Sequence, residues 1–219
     1  MTHSYIDDIV VYGPGFMAAA WLVLWLTVVT IIVSWIFGLA AALAQRSDWI
    51  WVRGLAAFYV WFIRGTPALI QIFIVYFGLP QVGIRLSPFS AGVIALGINS
   101  GAYVAEIIRA GLSAIHKGQM ESSFALGFSR AQTMRTIILP QVLRIILPAI
   151  TNEAISTLKN TSLLSTITVV ELTLYAQTLI SATFRPFDFY IAVAVIYLVL
   201  TTLLTQLANW LERRYARLS

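Results

Sequence analysis

Read from its start, the chain alternates long apolar stretches with short clusters of polar residues. Residues 16–44 hold no Asp, Glu, Lys or Arg. A crossing helix needs roughly 20 apolar residues at a 1.5 Å rise, so this stretch predicts one long, tilted span. "QRSDWIWVR", at 45–53, follows as a charged loop with two interfacial tryptophans. Residues 88–110, 140–158 and 187–211 predict three more spans, with Pro148 as a kink inside the second of these. Ser87-Pro88 reads as a helix cap followed by proline at the first helical position, and Thr66-Pro67 repeats that pattern.

The span predicted at 56–80 leaves two readings open. The apolar run from Pro67 to Leu79 is short for a full crossing. Either the helix begins near Ala56 and buries Arg64, or residues 53–64 lie along the interface. The second is preferred, because an arginine at membrane depth costs about 2.5–3.5 kcal/mol on insertion scales. Residues 162–183 are long enough to cross but carry Glu171, Gln177 and many hydroxyls.

Composition sets the solvent. Of 219 residues 59% are apolar and 11% charged, with a mean hydropathy of +0.85. Soluble domains carry about 25% charged residues, and one core of this size cannot hide so much apolar surface. The chain is therefore read as an all-α integral membrane protein, a single transmembrane domain over 1–219. The net charge of +5 is read as topology rather than as affinity for nucleic acid, since Lys and Arg gather on the cytoplasmic side. With the N-terminus outside and five spans, the inner face receives Arg46, Arg53, Arg64, Arg109, Lys117, Arg130, Arg135, Arg144, Arg213, Arg214 and Arg217. The outer face receives only Arg85, Lys159 and Arg185. A full crossing at 162–183 would move the C-terminal arginines outside, so 159–186 is read as an outward-side or re-entrant segment. Irregular backbone at membrane depth survives only against protein or a water-filled cavity, which places a translocation path nearby.

Some chemistry is excluded. No cysteine is present, so disulfides and thiol catalysis are out. His3 and His116 lack the spaced partners of a metal site. No cluster of catalytic groups lies at one depth, and no G-x4-G-K-[ST] phosphate loop occurs. The start, with Asp7 and Asp8 and no Lys or Arg, lacks the basic region of a secretory signal and reads as a short leader outside the membrane.

The polar region 111–139 faces the cytoplasm in this topology. "KGQMESSFAL" predicts a short helix, with Gly127 as the left-handed residue that ends it. Ser129 and Gln132 form an S-x-x-Q capping box for a second helix running to Pro140. Ala125, Leu126 and Phe128 give the corner an apolar tip.

Glu121, Gly127, Ile137, Leu139 and Pro140 stand in the spacing E-x5-G-x9-I-x-L-P. This resembles the "EAA" signature of importer-type ABC permease subunits, with Ser122 and Ser123 in place of two alanines. "FIRGTPALIQIFIVYFGLP", "GAYVAEIIRAGLSAIHKGQ", "LPQVLRIILPAITNE" and "LKNTSLLSTITVVEL" resemble the branch that takes up polar amino acids or opines. The resemblance covers about residues 16–212. It implies a type I importer fold in a bacterial inner membrane, paired with an identical or sister permease. It also implies an extracytoplasmic amino acid binding protein and a separate ATPase subunit that holds ATP and Mg. Glu121, Ala125, Leu126, Gly127 and Phe128 would couple to that ATPase. The chain itself would carry no cofactor and catalyse no reaction.

Ionisable groups at membrane depth mark a path or a pairing. Glu153 lies 13 residues past Pro140, about 20 Å from the inner face. Arg144 and Lys159 are not spaced to pair with it on one helix. Its carboxylate suits the α-ammonium or the cationic side chain of an amino acid, with Asn99, Ser100, Asn152 and Thr157 available for the other polar groups. Asn99 and Ser100 suit inter-helix hydrogen bonding equally well. Glu106 and Arg109 share a helical face and read as an interfacial ion pair. Lys159, Asn160, Thr161 and Ser162 read either as a gate and docking lip or as an ordinary helix end. A secondary transporter or channel subunit is the alternative class, but no inverted repeat supports it.

Overall fold

The computed structural model describes residues 5–216. His3 and Arg217, on which parts of the sequence reading rest, lie outside the described residues, and so does the side chain of Asp7. Among the described residues every regular element is helical. Helix α1 (Tyr5–Ala44) runs for 40 residues, about 60 Å at 1.5 Å per residue. That is twice the roughly 30 Å of a bilayer core. Helix α4 (Pro88–Ser113) begins where the Ser87 hydroxyl accepts the N–H of Ser90, with Pro88 in the first turn, as its sequence predicts.

These two helices form the spine. A Cβ on Gly38 would lie 2.6 Å from Val104, one on Gly101 2.7 Å from Phe37, and one on Gly97 against Val33. The contacts rise together along both helices, so α1 and α4 run parallel. Small residues let two backbones approach, which matters in lipid, where apolar side chains gain nothing by leaving the solvent.

Parallel helices require a return between them. Helix α2 (Ile50–Arg64) is followed by α3 (Ala68–Phe73), a π turn (Ile74–Gly78) and a 3-10 turn (Leu79–Val82). The two halves of this return meet at 111°. Helix α2 buries Ala56, Val60 and Ile63 on one face and exposes Trp51, Leu55, Phe58 and Trp61 on the others. Thr66 does not cap α3, contrary to the sequence pattern. Pro67 occupies the cap position with extended backbone. The Thr66 hydroxyl instead donates to Phe62 O and accepts from the Gln71 amide.

Helix α5 (Lys117–Ala125) and helix α6 (Arg130–Thr133) form the predicted cytoplasmic corner. Pro140 does not separate α6 from the next span. A π turn (Met134–Ile138) carries α6 straight into α7 (Leu139–Asn160), and residues Arg130–Ile167 form one helical run. A widened turn accommodates the N–H that Pro140 lacks. After a 3-10 segment (Thr161–Ile167) comes α8 (Leu172–Thr183), whose 12 residues reach about 18 Å and are too short to cross. Helix α9 (Pro186–Ala216) is the last described element. Among the described residues four helices are long and apolar enough to cross a membrane, and there are up to five spans if the bent pair counts as one.

Candidate functional site

The polar groups at mid-membrane gather where α4 meets α7. Ser100 and Thr157 are buried, and the Thr157 hydroxyl donates to Ser100 Oγ at 3.2 Å. Glu153 sits one turn earlier on α7, half-buried, with the Ser100 hydroxyl beside its carboxylate. Three of the five candidate substrate residues, Ser100, Glu153 and Thr157, therefore form one cluster on two antiparallel helices.

The other two candidates go elsewhere. Asn99 turns to α3 and donates to Gln71 Oε1 at 3.0 Å. Gln71 Nε2 in turn donates to Ile63 O at 2.9 Å and to Thr66 Oγ1 at 2.8 Å. Both amides are buried, and together they tie α4 to the bend between α2 and α3. The Tyr59 hydroxyl adds a bond to Ile98 O at 2.7 Å. Asn152 is exposed and belongs to neither group.

A second buried carboxylate carries no role in the sequence reading. Glu171 is 0% exposed. It caps α8, accepting the N–H groups of Thr173 at 2.9 Å and Leu174 at 3.0 Å. The Tyr197 hydroxyl of α9 donates to Glu171 Oε2 at 2.9 Å. Tyr197 also lies 3.5 Å from Thr161 Oγ1, so the network joins the 3-10 segment, α8 and α9. Of the proposed gate residues, Thr161 is buried in this network, while Lys159 is exposed. Asn160 is half-buried, and Ser162 donates to Lys159 O at 2.8 Å. A local signal for this cap exists in Glu171-Leu172-Thr173. Its Tyr197 partner lies 26 residues away, beyond any local pattern.

Between α5 and α6, the corner is built as its residues predict. Phe128 N–H bonds Ser123 O and Gly127 N–H bonds Phe124 O, each at 3.0 Å. This is a Schellman end with Gly127 at φ 84°. Ser129 and Gln132 cap each other reciprocally at the start of α6. Glu121, Ala125 and Leu126 are exposed, Leu126 at 76%, and Phe128 is half-buried. Glu121 also lines a cleft of about 540 Å³ with Arg46, His116, Lys117 and Phe124. Ser123, which replaces an alanine of the EAA pattern, is buried and donates to Gln119 O. The Glu106–Arg109 pair is present, and Arg64 joins it at 3.8 Å while lying over the Tyr103 ring.

A chain that crosses the membrane several times, holds a polar cluster at mid-depth and presents a capped corner at one face is a transport subunit. Its residues 34–217 match the family model described as "Binding-protein-dependent transport system inner membrane component", and the chain belongs to that family. It is 41% identical to the glutamine transport system permease protein GlnP of Escherichia coli (strain K12), over 92% of this chain and 93% of that one. It is 37% identical to the nopaline transport system permease protein NocM of Agrobacterium fabrum, over 90% of this chain and 87% of that one. A crystal structure of an amino acid ABC transporter with histidines superposes with a TM-score of 0.91 at 41% identity, covering 98% of this chain and 100% of that one. The MetNI methionine ABC transporter, at 19% identity and a TM-score of 0.73, shares the fold.

Proposed function

We propose that this chain is the membrane-spanning half of an ATP-driven importer for polar or cationic amino acids. It lies in a bacterial inner membrane, its N-terminus outside and its C-terminus in the cytoplasm. The names of its relatives support amino acids as the cargo. The observation that carries the mechanism is the corner at Gly127. Two local caps fix its geometry while Glu121, Ala125 and Leu126 face outward, an arrangement suited to seating in a groove on a partner. That partner is an ATPase subunit holding ATP and Mg. Closure of the ATPase around nucleotide moves the corner, and the continuous run Arg130–Ile167 carries that motion to the mid-membrane cluster and the outer segment.

Five spans are too few to enclose a path, so the chain pairs with a second permease, identical or sister. A binding protein delivers the amino acid to the outer face, near Lys159, Asn160, Thr161 and Ser162. Glu153 then meets the ammonium of the cargo, and Ser100 and Thr157 orient the carboxylate. Asn99 acts one step removed, by holding the bend.

Gly127→Asp tests the coupling. An L side chain at φ 84° is strained, by about 1–2 kcal/mol, and the new charge sits at the tip. Insertion into the membrane is expected to be normal, with co-purification of the ATPase and amino acid uptake both reduced at least fivefold. Unchanged uptake together with unchanged ATPase association would exclude the corner as the coupling element.

A further inference from the structure

The cleft of about 540 Å³ beside the corner is lined from the end of α1, the end of α4, helix α5 and the π turn that follows α6. Helix α5 contributes Lys117, Met120, Glu121 and Phe124, which at i, i+3, i+4 and i+7 share one helical face. The tip residues Ala125 and Leu126 are not part of its lining. The corner thus offers two surfaces, a convex tip and a concave flank, and the proposed mechanism uses only the tip.

The floor of the cleft is apolar. Leu112 and Met134 are half-buried and Ile138 is buried, while Met120 and Phe124 are 38% and 42% exposed. The rim carries both signs. Arg46 and Lys117 bring positive charge and Glu121 negative charge, and among the described residues none of these three side chains makes a hydrogen bond or an ion pair. Lys117 and Glu121 stand one helical turn apart, a spacing that permits a pair, yet they stay unpaired. His116 accepts the Gly118 N–H through Nδ1 at 3.2 Å, which leaves Nε2 to donate.

These features select an occupant. A simple anion at this rim meets Glu121, and a simple cation meets Arg46 and Lys117. A zwitterion answers both signs at once, and the floor asks that it also carry an apolar group. The volume falls in the range of a site for one small ligand, about 300–1,000 Å³. We infer that this cleft binds one free α-amino acid with an apolar side chain, of the leucine or methionine class. Its carboxylate accepts from Arg46 and Lys117, its ammonium donates to Glu121, and its side chain lies on Met120 and Phe124. The occupant joins the end of α1 to α5. Its effect on transport rests on the coupling reading above, since Glu121 serves both; the binding itself does not.

L-Leucine is titrated into the full chain, purified in mild detergent with whatever subunits accompany it. Wild type is expected to bind saturably, and hydrogen exchange with leucine present is expected to slow the amides of residues 112–126. Leucinamide, which lacks the carboxylate, and N-acetylleucine, which lacks the ammonium, are each expected to bind at least tenfold more weakly. Arg46→Gln is expected to weaken leucine at least tenfold. Met120→Trp, which fills the floor, is expected to weaken it at least fivefold with the thermal midpoint of wild type. Absence of saturable leucine binding would overturn the inference, as would N-acetylleucine binding equally well or both variants keeping wild-type affinity. Protection confined to residues 150–160 would assign the leucine to the mid-membrane cluster and overturn it too. Because the chain has no native cysteine, Met120→Cys gives a single cross-linking position. Efficient linkage from it to another subunit would make the cleft a subunit contact and overturn the amino acid site.

Discussion

Two glutamates sit among apolar helices 18 positions apart, Glu153 on α7 and Glu171 ahead of α8. They have opposite surroundings. Glu171 is sealed from solvent, and both oxygens are taken by two backbone N–H groups and a tyrosine hydroxyl. Glu153 is half-buried, with a serine hydroxyl beside it. A carboxylate whose acceptors are filled by its own protein has little left to offer a ligand. One left half-buried, with a serine hydroxyl beside it, keeps acceptor capacity for a ligand. Burial and partner count, rather than the presence of charge at membrane depth, assign Glu171 to the scaffold and make Glu153 the candidate for the cargo.

The sharpest way to break this contrast is Glu171→Ala. It removes the cap of α8 and leaves two buried N–H groups and the Tyr197 hydroxyl without an acceptor. Loss of a cap costs about 0.5–2 kcal/mol and each unsatisfied buried group about 1–3 kcal/mol. A net destabilisation of about 3 kcal/mol is expected, read as a lower thermal midpoint in detergent; an unchanged midpoint would remove Glu171 from the scaffold. Glu153→Gln should do the reverse. Its unfolding midpoint is expected to match wild type, while the concentration of amino acid for half-maximal uptake rises about tenfold, equivalent to about 1.4 kcal/mol. Normal affinity with the amide would take Glu153 out of the cargo site. Tyr197→Phe removes one bond from the Glu171 network and leaves the backbone cap intact. About 1 kcal/mol of stability should be lost with cargo affinity unchanged, and a change confined to affinity would move Tyr197 to the path instead.

Features encoded within three or four residues are legible in the sequence. The Ser87 cap, the Ser129–Gln132 box and the left-handed Gly127 all stand as their sequence predicts, because each is a contact between near neighbours along the chain. Local reading failed where a distant group competed. Thr66-Pro67 has the form of a cap, but the Gln71 amide takes the threonine hydroxyl. Asn99 and Ser100 are adjacent in sequence, yet a turn of about 100° per residue sends one to α3 and the other to α7. The 111° corner after Arg64 falls at Gly65-Thr66-Pro67, where the sequence already divides an interfacial stretch from a new helix; the Asn99–Gln71 bond that ties this corner to α4 is announced by no spacing within residues 50–82. Glu171 was visible as a charge out of place, but its sealing by Tyr197 depends on how α9 returns.

On the proposed mechanism a nucleotide-hydrolysing partner, acting through the Gly127 corner, drives an amino acid past Glu153. Uptake of labelled arginine and glutamine into vesicles containing the reconstituted complex with its binding protein tests it most directly. Accumulation is expected only with ATP inside the functional compartment, and it is expected to collapse when Gly127→Asp replaces the wild-type chain. Accumulation driven by an ion gradient with no ATPase present would contradict the account.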